Sequence, residues 1–222
     1  MFWSCHISLD CLENKEVIHL TEKHRDVAPI LIDLDFRYPN ESKYLSRQYE
    51  IQSIKDFIKV YLREISKYVD EKQFEVYIME KSKPVQYERK NVIKDGVHIM
   101  IPNIVTNLSM QLMLRETLLT KLDFIEKASN STNGIEDIFD KAVIDKNNWM
   151  MYGSRKPYCE PYLITNYITF NINEDGEITE RNNRFEKDKP WLYAETLSIR
   201  NKYDESPVVS DKKEMIENME IV

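Results

Sequence analysis

The sequence predicts a mixed α/β (α+β) domain, because strand-like segments are interleaved with one strong helical pattern. From Ala28 to Phe36 (APILIDLDF), side chains alternate between an apolar face and a face that carries two acids, as in a half-buried strand. From Ile51 to Val69, apolar residues recur at spacings of three and four, which is typical of an amphipathic helix of about five turns. The 222 residues are 42% hydrophobic, which suffices for one compact core.

Further elements follow along the chain. Phe74 to Met79 (FEVYIM) is predicted to be a short strand, and Gly96 to Ile101 (GVHIMI) another. We expect Pro102 to end that second strand, because proline cannot donate a ladder hydrogen bond. Thr106 is the predicted N-cap of a helix that carries leucines from Leu108 to Leu122.

The C-terminal half again mixes turn and strand patterns. A polar stretch at 129–134 (SNSTNG) interrupts the chain. Beyond it, Ile138 to Ile144 is a short β-like run, and Tyr162 to Phe170 alternates like a strand that turns at Asp175-Gly176. We assign residues 1–205 to one catalytic domain and 206–222 to an acidic, exposed tail or the start of a following region.

The charge balance argues against a strongly basic nucleic-acid-binding protein, because the formal net charge is −7. Binding nevertheless depends on local charge, and a carboxylate cluster that holds divalent metal is itself acidic. The densest basic group consists of Lys81, Lys83, Arg89, Lys90 and Lys94. It is either a solvated face or a contact for nucleic acid.

Cysteine usage and hydrophobicity indicate a soluble intracellular protein. Cys5, Cys11 and Cys159 show no C-x-x-C spacing, so neither a disulfide framework nor a four-ligand zinc site is predicted. Cys5, His6 and Cys11 are either three zinc ligands or bystanders. Uncharged apolar runs fall short of the ~20 residues of a membrane span, and the first ten residues lack the basic start of a signal peptide.

Two carboxylates on the first strand are the leading candidates for metal binding. Asp33 and Asp35 are two residues apart, so they project from the same face of an extended strand and can share hard divalent cations. Acids within an otherwise apolar strand are costly unless metal or cationic partners compensate them. A solvated or salt-bridged pair is the alternative.

Two later segments add candidates for phosphate binding. In KDGVHIMIP (94–102), Gly96 allows close backbone approach and His98 can donate to a phosphate oxygen, although a strand histidine is often structural. Asp140 heads another apolar run. After it come Asn147 and then YGSRKP (152–157), in which Ser154, Arg155 and Lys156 offer a hydroxyl and two cations.

In this order and spacing, the three segments resemble the archaeo-eukaryotic primase superfamily. HLTEKHRDVAPILIDLDFRY, KDGVHIMIP and DKAVIDKNNWMMYGSRKP are similar to stretches of the primase-helicases of nucleocytoplasmic large DNA viruses, and the likeness covers roughly residues 19–205. The resemblance implies an RRM-like antiparallel sheet packed with a second small α/β unit, with the active site in the cleft between them. It also implies viral DNA replication, in the host cytoplasm (viral factory) or nucleus.

By this resemblance, Asp33, Asp35 and Asp140 are the catalytic metal ligands for two Mg²⁺ or Mn²⁺ ions. His98 and Lys156 hold the triphosphate of an NTP or dNTP. The supporting nucleotide contacts are Ser154, Arg155, Asn147, Gly96 and Arg37. Relatives often carry serine where this chain has Gly96, so a side-chain contact would become a backbone contact. Arg37 either touches nucleotide or balances the carboxylates.

The resemblance implies a DNA template and a helicase domain or subunit as partners. Nucleotidyl transfer in primer synthesis, the activity of a primase or primase-polymerase, is the function it favours. The first alternative is a catalytically impaired, primase-derived module that binds DNA or a helicase. The second is a metal-dependent nuclease that uses the same acids but leaves the GSRK segment unexplained.

Overall fold

The computed structural model describes residues 19–156, 159–200 and 206. The Cys5, His6 and Cys11 hypothesis and the residues after 206 lie outside this range, so the zinc site and the domain limits stay predictions. The strands are β1 (Thr21–Glu22), β2 (Val27–Pro39), β3 (Gln73–Glu80), β4 (Val85–Tyr87), β5 (Val92–Asn107), β6 (Trp149–Met150), β7 (Leu163–Ile172) and β8 (Ile178–Asn182). The α-helices are α1 (Ile51–Ile65), α2 (Leu108–Leu119), α3 (Asp123–Ser129), α4 (Ile135–Ile138) and α5 (Ala142–Asp145).

The main sheet is antiparallel, with strand order β2-β5-β3-β7-β8 and with β4 added to one end of β5. A separate two-stranded ribbon joins β1 to β6. Short single-turn 3-10 helices at Ser42–Leu45, Glu88–Lys90 and Pro190–Tyr193 complete the described elements. The α+β class with an antiparallel sheet and a second small unit is confirmed.

One face of the sheet packs against helices. The inward row of β2, which includes Ile32, Leu34 and Phe36, is fully buried against α1. The three-four spacing of α1 places most of its apolar residues on that face, where these are buried: Ile54, Phe57, Ile58, Tyr61, Leu62 and Ile65. Ile51, at the start of the helix, is exposed. The helix ends at Ile65 rather than at Val69, and residues 66–68 continue only as a turn.

The opposite face of the sheet carries a second, smaller core. Leu31 of β2 lies between Asp33 and the strand start, and it packs with Met100, Ile144, Trp149 and Leu197. Residues from 142 to 152, together with those near 197, therefore cover this face of the sheet. Because Asp33 and Asp35 point to the same side as Leu31, the acids lie at the border of this second core.

Strand β5 runs through Pro102 to Asn107, so the expectation that proline ends it was wrong. The register against β2 shifts between Pro29 and Ile30, whose partners are Val105 and Ile101. Residues 102–104 of β5 therefore have no partner on β2, and a β-bulge accommodates the missing donor. Next to Pro102, the side-chain oxygen Oδ1 of Asn103 accepts a hydrogen bond from the backbone N–H of Glu75 (2.8 Å). This bond takes the place of a hydrogen bond between strands.

Two further expectations about local structure were wrong. Helix α2 is capped by Asn107, whose side chain accepts from the Met110 N–H at 2.8 Å, and Thr106 precedes the cap. The predicted β-like run from Ile138 to Ile144 is instead occupied by α4 and α5, with a single bridge from Phe139 to Leu34. Among the described residues, no helix is long and apolar enough to cross a membrane.

Candidate active site

Three carboxylates from two distant parts of the chain meet at one point. Asp33 and Asp35 project from β2, and Asp140 lies beside that strand because its backbone N–H donates to the Asp33 carbonyl at 3.0 Å. One carboxylate oxygen of each residue lies within 4.8 Å of the other two. The structure thus brings together the three acids that the sequence predicts as a cluster.

The segment that carries Asp140 is held in place from behind. The guanidinium of Arg115, on α2, is buried and donates to the carbonyls of Phe139 (2.8 Å) and Glu136 (2.6 Å). The Asp140 carboxylate also accepts from the Ala142 N–H at 2.9 Å, which starts α5. These contacts direct Asp140 toward β2 although the segment is not a strand.

The acid cluster fits a hard divalent cation. Oδ1 of Asp33 is buried and has no hydrogen-bond partner among the residues that the structure describes. Burial, followed by the nearby charges of Asp35 and Asp140, raises the pKa of Asp33 well above its ordinary value. Cations with oxygen ligands relieve such a cluster, because they compensate the desolvated carboxylates. Asp33, Asp35 and Asp140 are therefore a fitting donor set for such an ion.

His98 stands directly opposite Asp33 in the β2–β5 ladder. Its Nε2 is 3.6 Å from Oδ1 of Asp33, which is too long for a hydrogen bond. Burial, with smaller effects from Lys81 and Lys156, lowers the pKa of His98 to about 3. The imidazole is therefore neutral, and its approach to Asp33 is not an ion pair.

An aromatic stack fixes the orientation of this imidazole. The ring of Tyr162 lies parallel to that of His98 with 3.6 Å between centroids, and Trp149 is 4.7 Å away. The ammonium of Lys81 sits 4.7 Å from the centre of the Tyr162 ring. His98 thus keeps one defined position beside the acids.

The cluster opens into a cavity of about 780 Å³, a volume suited to a nucleotide. The predicted site residues Asp33, Asp35, Asp140, His98, Asn147, Ser154, Arg155 and Lys156 all line it. The cations that line it are Lys81, Lys94, Lys146, Arg155 and Lys156. Carboxylates for metal and cations for phosphate therefore face one space.

Ser154 lines the cavity and also forms a hydrogen bond with the start of the described chain. It is buried, and its hydroxyl accepts a hydrogen bond from the Leu20 N–H at 3.3 Å. His19 in turn contacts the carbonyl of Arg155 through Nδ1 at 2.5 Å. These bonds anchor the loop that carries Arg155 and Lys156 to the start of the described chain.

Gly96 and Arg37 lie close to the cluster but do not line the cavity. A Cβ on Gly96 would stand 2.8 Å from the Tyr162 hydroxyl and 2.9 Å from the Leu34 carbonyl. Tight packing therefore accounts for glycine at this position. Among the described residues, the guanidinium of Arg37 pairs with Asp137 at 3.0 Å and not with Asp33 or Asp35, and its contact with a nucleotide stays a prediction.

Sequence reasoning missed Tyr162 as a site residue, together with Trp149 and the network behind the cavity. In that network, Arg47 binds Glu80 at 2.7 Å and Asp95 at 3.0 Å. Tyr162 was visible only as the start of a predicted strand. Nothing local to the sequence links it to His98, because the contact depends on how β5 and β7 are ordered in the sheet.

Comparison with known proteins supports a viral replication family. The family model described as "C962R protein N-terminal AEP domain", where AEP denotes archaeo-eukaryotic primase, matches residues 7–168. "Putative helicase L207/L206" of Acanthamoeba polyphaga mimivirus is 40% identical over 161 residues, which are 70% of this chain and 16% of that protein. "Putative helicase 184R" of Invertebrate iridescent virus 6 is 25% identical over 190 residues, which are 73% of this chain and 19% of that protein.

The chain thus corresponds to less than a fifth of the length of these relatives. The family model, in contrast, covers more than half of the chain, including both acids of β2, His98 and Asp140. The chain belongs to the archaeo-eukaryotic primase superfamily, within the group described by the C962R N-terminal domain.

Proposed function

We propose that this chain is the primer-synthesising domain of a viral DNA replication protein, which joins NTPs or dNTPs on a DNA template by two-metal nucleotidyl transfer. The observation that carries the proposal is the convergence of Asp33, Asp35 and Asp140 within 4.8 Å. Membership of the primase superfamily makes nucleotidyl transfer the chemistry to test first. A structural role for the three acids is disfavoured because Asp33 presents a buried oxygen without a hydrogen-bond partner among the described residues.

Each side chain has a proposed task. Asp33, Asp35 and Asp140 hold the cations, which when bound supply the charge that activates a primer hydroxyl and stabilises the leaving pyrophosphate. The neutral ring of His98 donates a hydrogen bond to a phosphate oxygen, and Tyr162 keeps the ring in position. Lys156 and Arg155 offer positive charge to the triphosphate, while Asn147 and Ser154 complete the wall.

A helicase is the proposed partner. Both viral relatives are named as helicases and are several times longer than the matched region. We therefore place primer synthesis beside DNA unwinding in one machinery. The complete acid cluster favours an active domain over the alternative of a catalytically impaired binding module.

The decisive experiment is primer synthesis on a single-stranded template with Mg²⁺ or Mn²⁺ and labelled nucleotides. The parent chain should make template-dependent products, and the double variant Asp33→Asn with Asp35→Asn should make none above the protein-free background. Asp175→Asn is the matched control, since it removes an exposed carboxylate at a turn that Asn-Gly suits equally well. Equal activity in the double variant and the parent would refute the proposal.

Two additional readouts separate a functional from a structural role. Urea unfolding should show that Asp33→Asn is at least as stable as the parent without metal, because the change removes an uncompensated buried carboxylate. Calorimetric titration with Mn²⁺ and nucleotide should show binding that the double variant loses.

A parallel incubation with labelled DNA and metal but no nucleotides tests the alternative of a metal-dependent nuclease, which would shorten the DNA.

A further inference from the structure

A stretch of strongly positive sequence adjoins the candidate site. From Lys81 to Lys94 the chain contains five basic residues and one acidic residue, Glu88, whereas the chain as a whole has a net charge of −7. This stretch forms β4, the 3-10 turn Glu88–Lys90 and the start of β5. Two of its lysines, Lys81 and Lys94, line the cavity.

The strand register places part of this stretch on the same face as the acids. In the β2–β5 ladder, His98 faces Asp33, and Lys94 lies four residues before His98 on the same side. In the β4–β5 ladder, Val85 is opposite Lys94 and Tyr87 is opposite Val92. Val85, Tyr87 and Lys94 therefore continue the row, and all three line the cavity.

Tyr87 is presented to solvent at the far end of this row. It is 44% exposed, and within residues 19–156, 159–200 and 206 it is the one aromatic among the exposed large hydrophobic side chains. The ammonium of Lys94 lies 5.7 Å from the centre of its ring. Val92, which is opposite Tyr87 in the β4–β5 ladder, is six residues before His98. This separation corresponds to about 20 Å along β5.

We propose that Val85, Tyr87 and Lys94, here called the β4 face, bind single-stranded DNA on its way to the acid cluster. Tyr87 stacks on a base and Lys94 contacts a phosphate, which is the combination used for sequence-independent single-strand binding. A span of about 20 Å corresponds to roughly six nucleotides at stacked spacing. This assignment rests on the proposed function, because it makes the ligand the template of the same site.

The test is fluorescence anisotropy of a labelled oligothymidine with the parent and four variants. Tyr87→Ala should weaken binding by roughly 5- to 100-fold through loss of stacking, while Tyr87→Phe should retain parent affinity. Lys94→Ala should weaken binding and reduce the slope of log affinity against log salt by about one. Lys127→Ala is the matched lysine control, since its side chain is 79% exposed on α3, where it pairs with Asp123 on the helix surface, and it should bind like the parent.

Calorimetry with Mn²⁺ and nucleotide on the same variants distinguishes this proposal from the proposed function. Lys127→Ala should bind Mn²⁺ and nucleotide as the parent does, and urea unfolding like that of the parent verifies that Tyr87→Ala is folded. Parent-like DNA affinity in Tyr87→Ala, or absence of DNA binding by the parent, would overturn the β4 face assignment and leave the nucleotide result standing. Equal competition by polyglutamate and by unlabelled oligothymidine would also overturn it, because stacking would then contribute nothing.

Discussion

Replacing Arg47 by methionine should destabilise the protein more than the loss of any exposed ion pair. Arg47 binds the carboxylates of Glu80 and Asp95 and also donates to the Lys81 carbonyl at 2.7 Å. The side chains of Glu80 and Asp95 are only 6% and 0% exposed. Without the guanidinium, two buried carboxylates lose their counter-charge at the edge of the cavity.

The magnitude follows from this burial. Removing one member of a buried ion pair costs about 3–5 kcal/mol, and the Arg47 side chain is itself 26% exposed, so water can partly replace it. We therefore expect a loss of about 3 kcal/mol in the free energy of unfolding. For a chain of this size, that corresponds to a fall of roughly 6–12 °C in melting temperature.

Urea unfolding followed by circular dichroism measures this loss, and Lys43→Met is the matched control. Lys43 pairs with Glu41 at 2.9 Å, but both side chains are more than half exposed, so its removal should leave the free energy of unfolding close to that of the parent. Adding Glu80→Gln and Asp95→Asn to Arg47→Met should recover part of the loss, because the buried charges are gone. The reasoning fails if Arg47→Met is no more destabilising than Lys43→Met, or if the triple variant recovers nothing.

Three further predictions concern the site and the sheet edge. Gly96→Ala should cost about 1–3 kcal/mol in unfolding free energy, because its Cβ would meet a backbone carbonyl at 2.9 Å and the Tyr162 hydroxyl at 2.8 Å; unchanged urea stability would contradict this. Tyr162→Leu should raise the KM for nucleotide or lower kcat by releasing the His98 ring, whereas Tyr162→Phe should keep near-parent kinetics. Hydrogen bonding from Lys59 lowers the pKa of Glu180 below its ordinary value of 4.5, so the stabilisation from this carboxylate is fully present above that pH and is lost as the pH falls from there through the lowered pKa; Glu180→Gln should therefore reduce the loss of stability on acidification below about pH 5, and a profile like that of the parent would count against it.

Local patterns were sufficient to predict the elements that carry the first two acids and the main helix. The alternation around Asp33 and Asp35 arises because one face of β2 packs against α1 and the other lies at the cavity. The burial of residues along β2 follows this alternation. The spacing in α1 likewise matches its buried residues. Such elements are predictable because one-sided burial imposes a period on the sequence.

Where the predictions were wrong, contacts between distant residues decided the local structure. Strand β5 continues through Pro102 because the bulge removes the need for its donor and Asn103 supplies a substitute contact. The stack of His98 on Tyr162 joins residues that no periodic pattern connects. Sheet order and bulges are properties of paired strands, so a single strand's sequence does not specify them.

Asp140 shows how a site residue can be predicted correctly from a wrong local structure. The apolar run after it indicated a strand, but the chain forms two short helices around Phe139. Placement of this acid depends instead on the single bridge between Phe139 and Leu34 and on the two carbonyls bound by Arg115. The metal site requires that the Asp140 carboxylate lie against β2. The buried Arg115 holds it there, so a strand is not needed at this point.

The net charge of the chain does not predict the local charge at the cavity. The value of −7 sums over the whole chain, whereas the cavity is lined both by the carboxylate cluster and by cations, among them Lys81 and Lys94 of the basic stretch. Screening at physiological salt limits the influence of exposed charges to about 8 Å, so exposed acids elsewhere on the chain contribute little to the charge at the cavity. A chain can therefore be acidic overall and still present a positive path for DNA that leads to a negatively charged metal site.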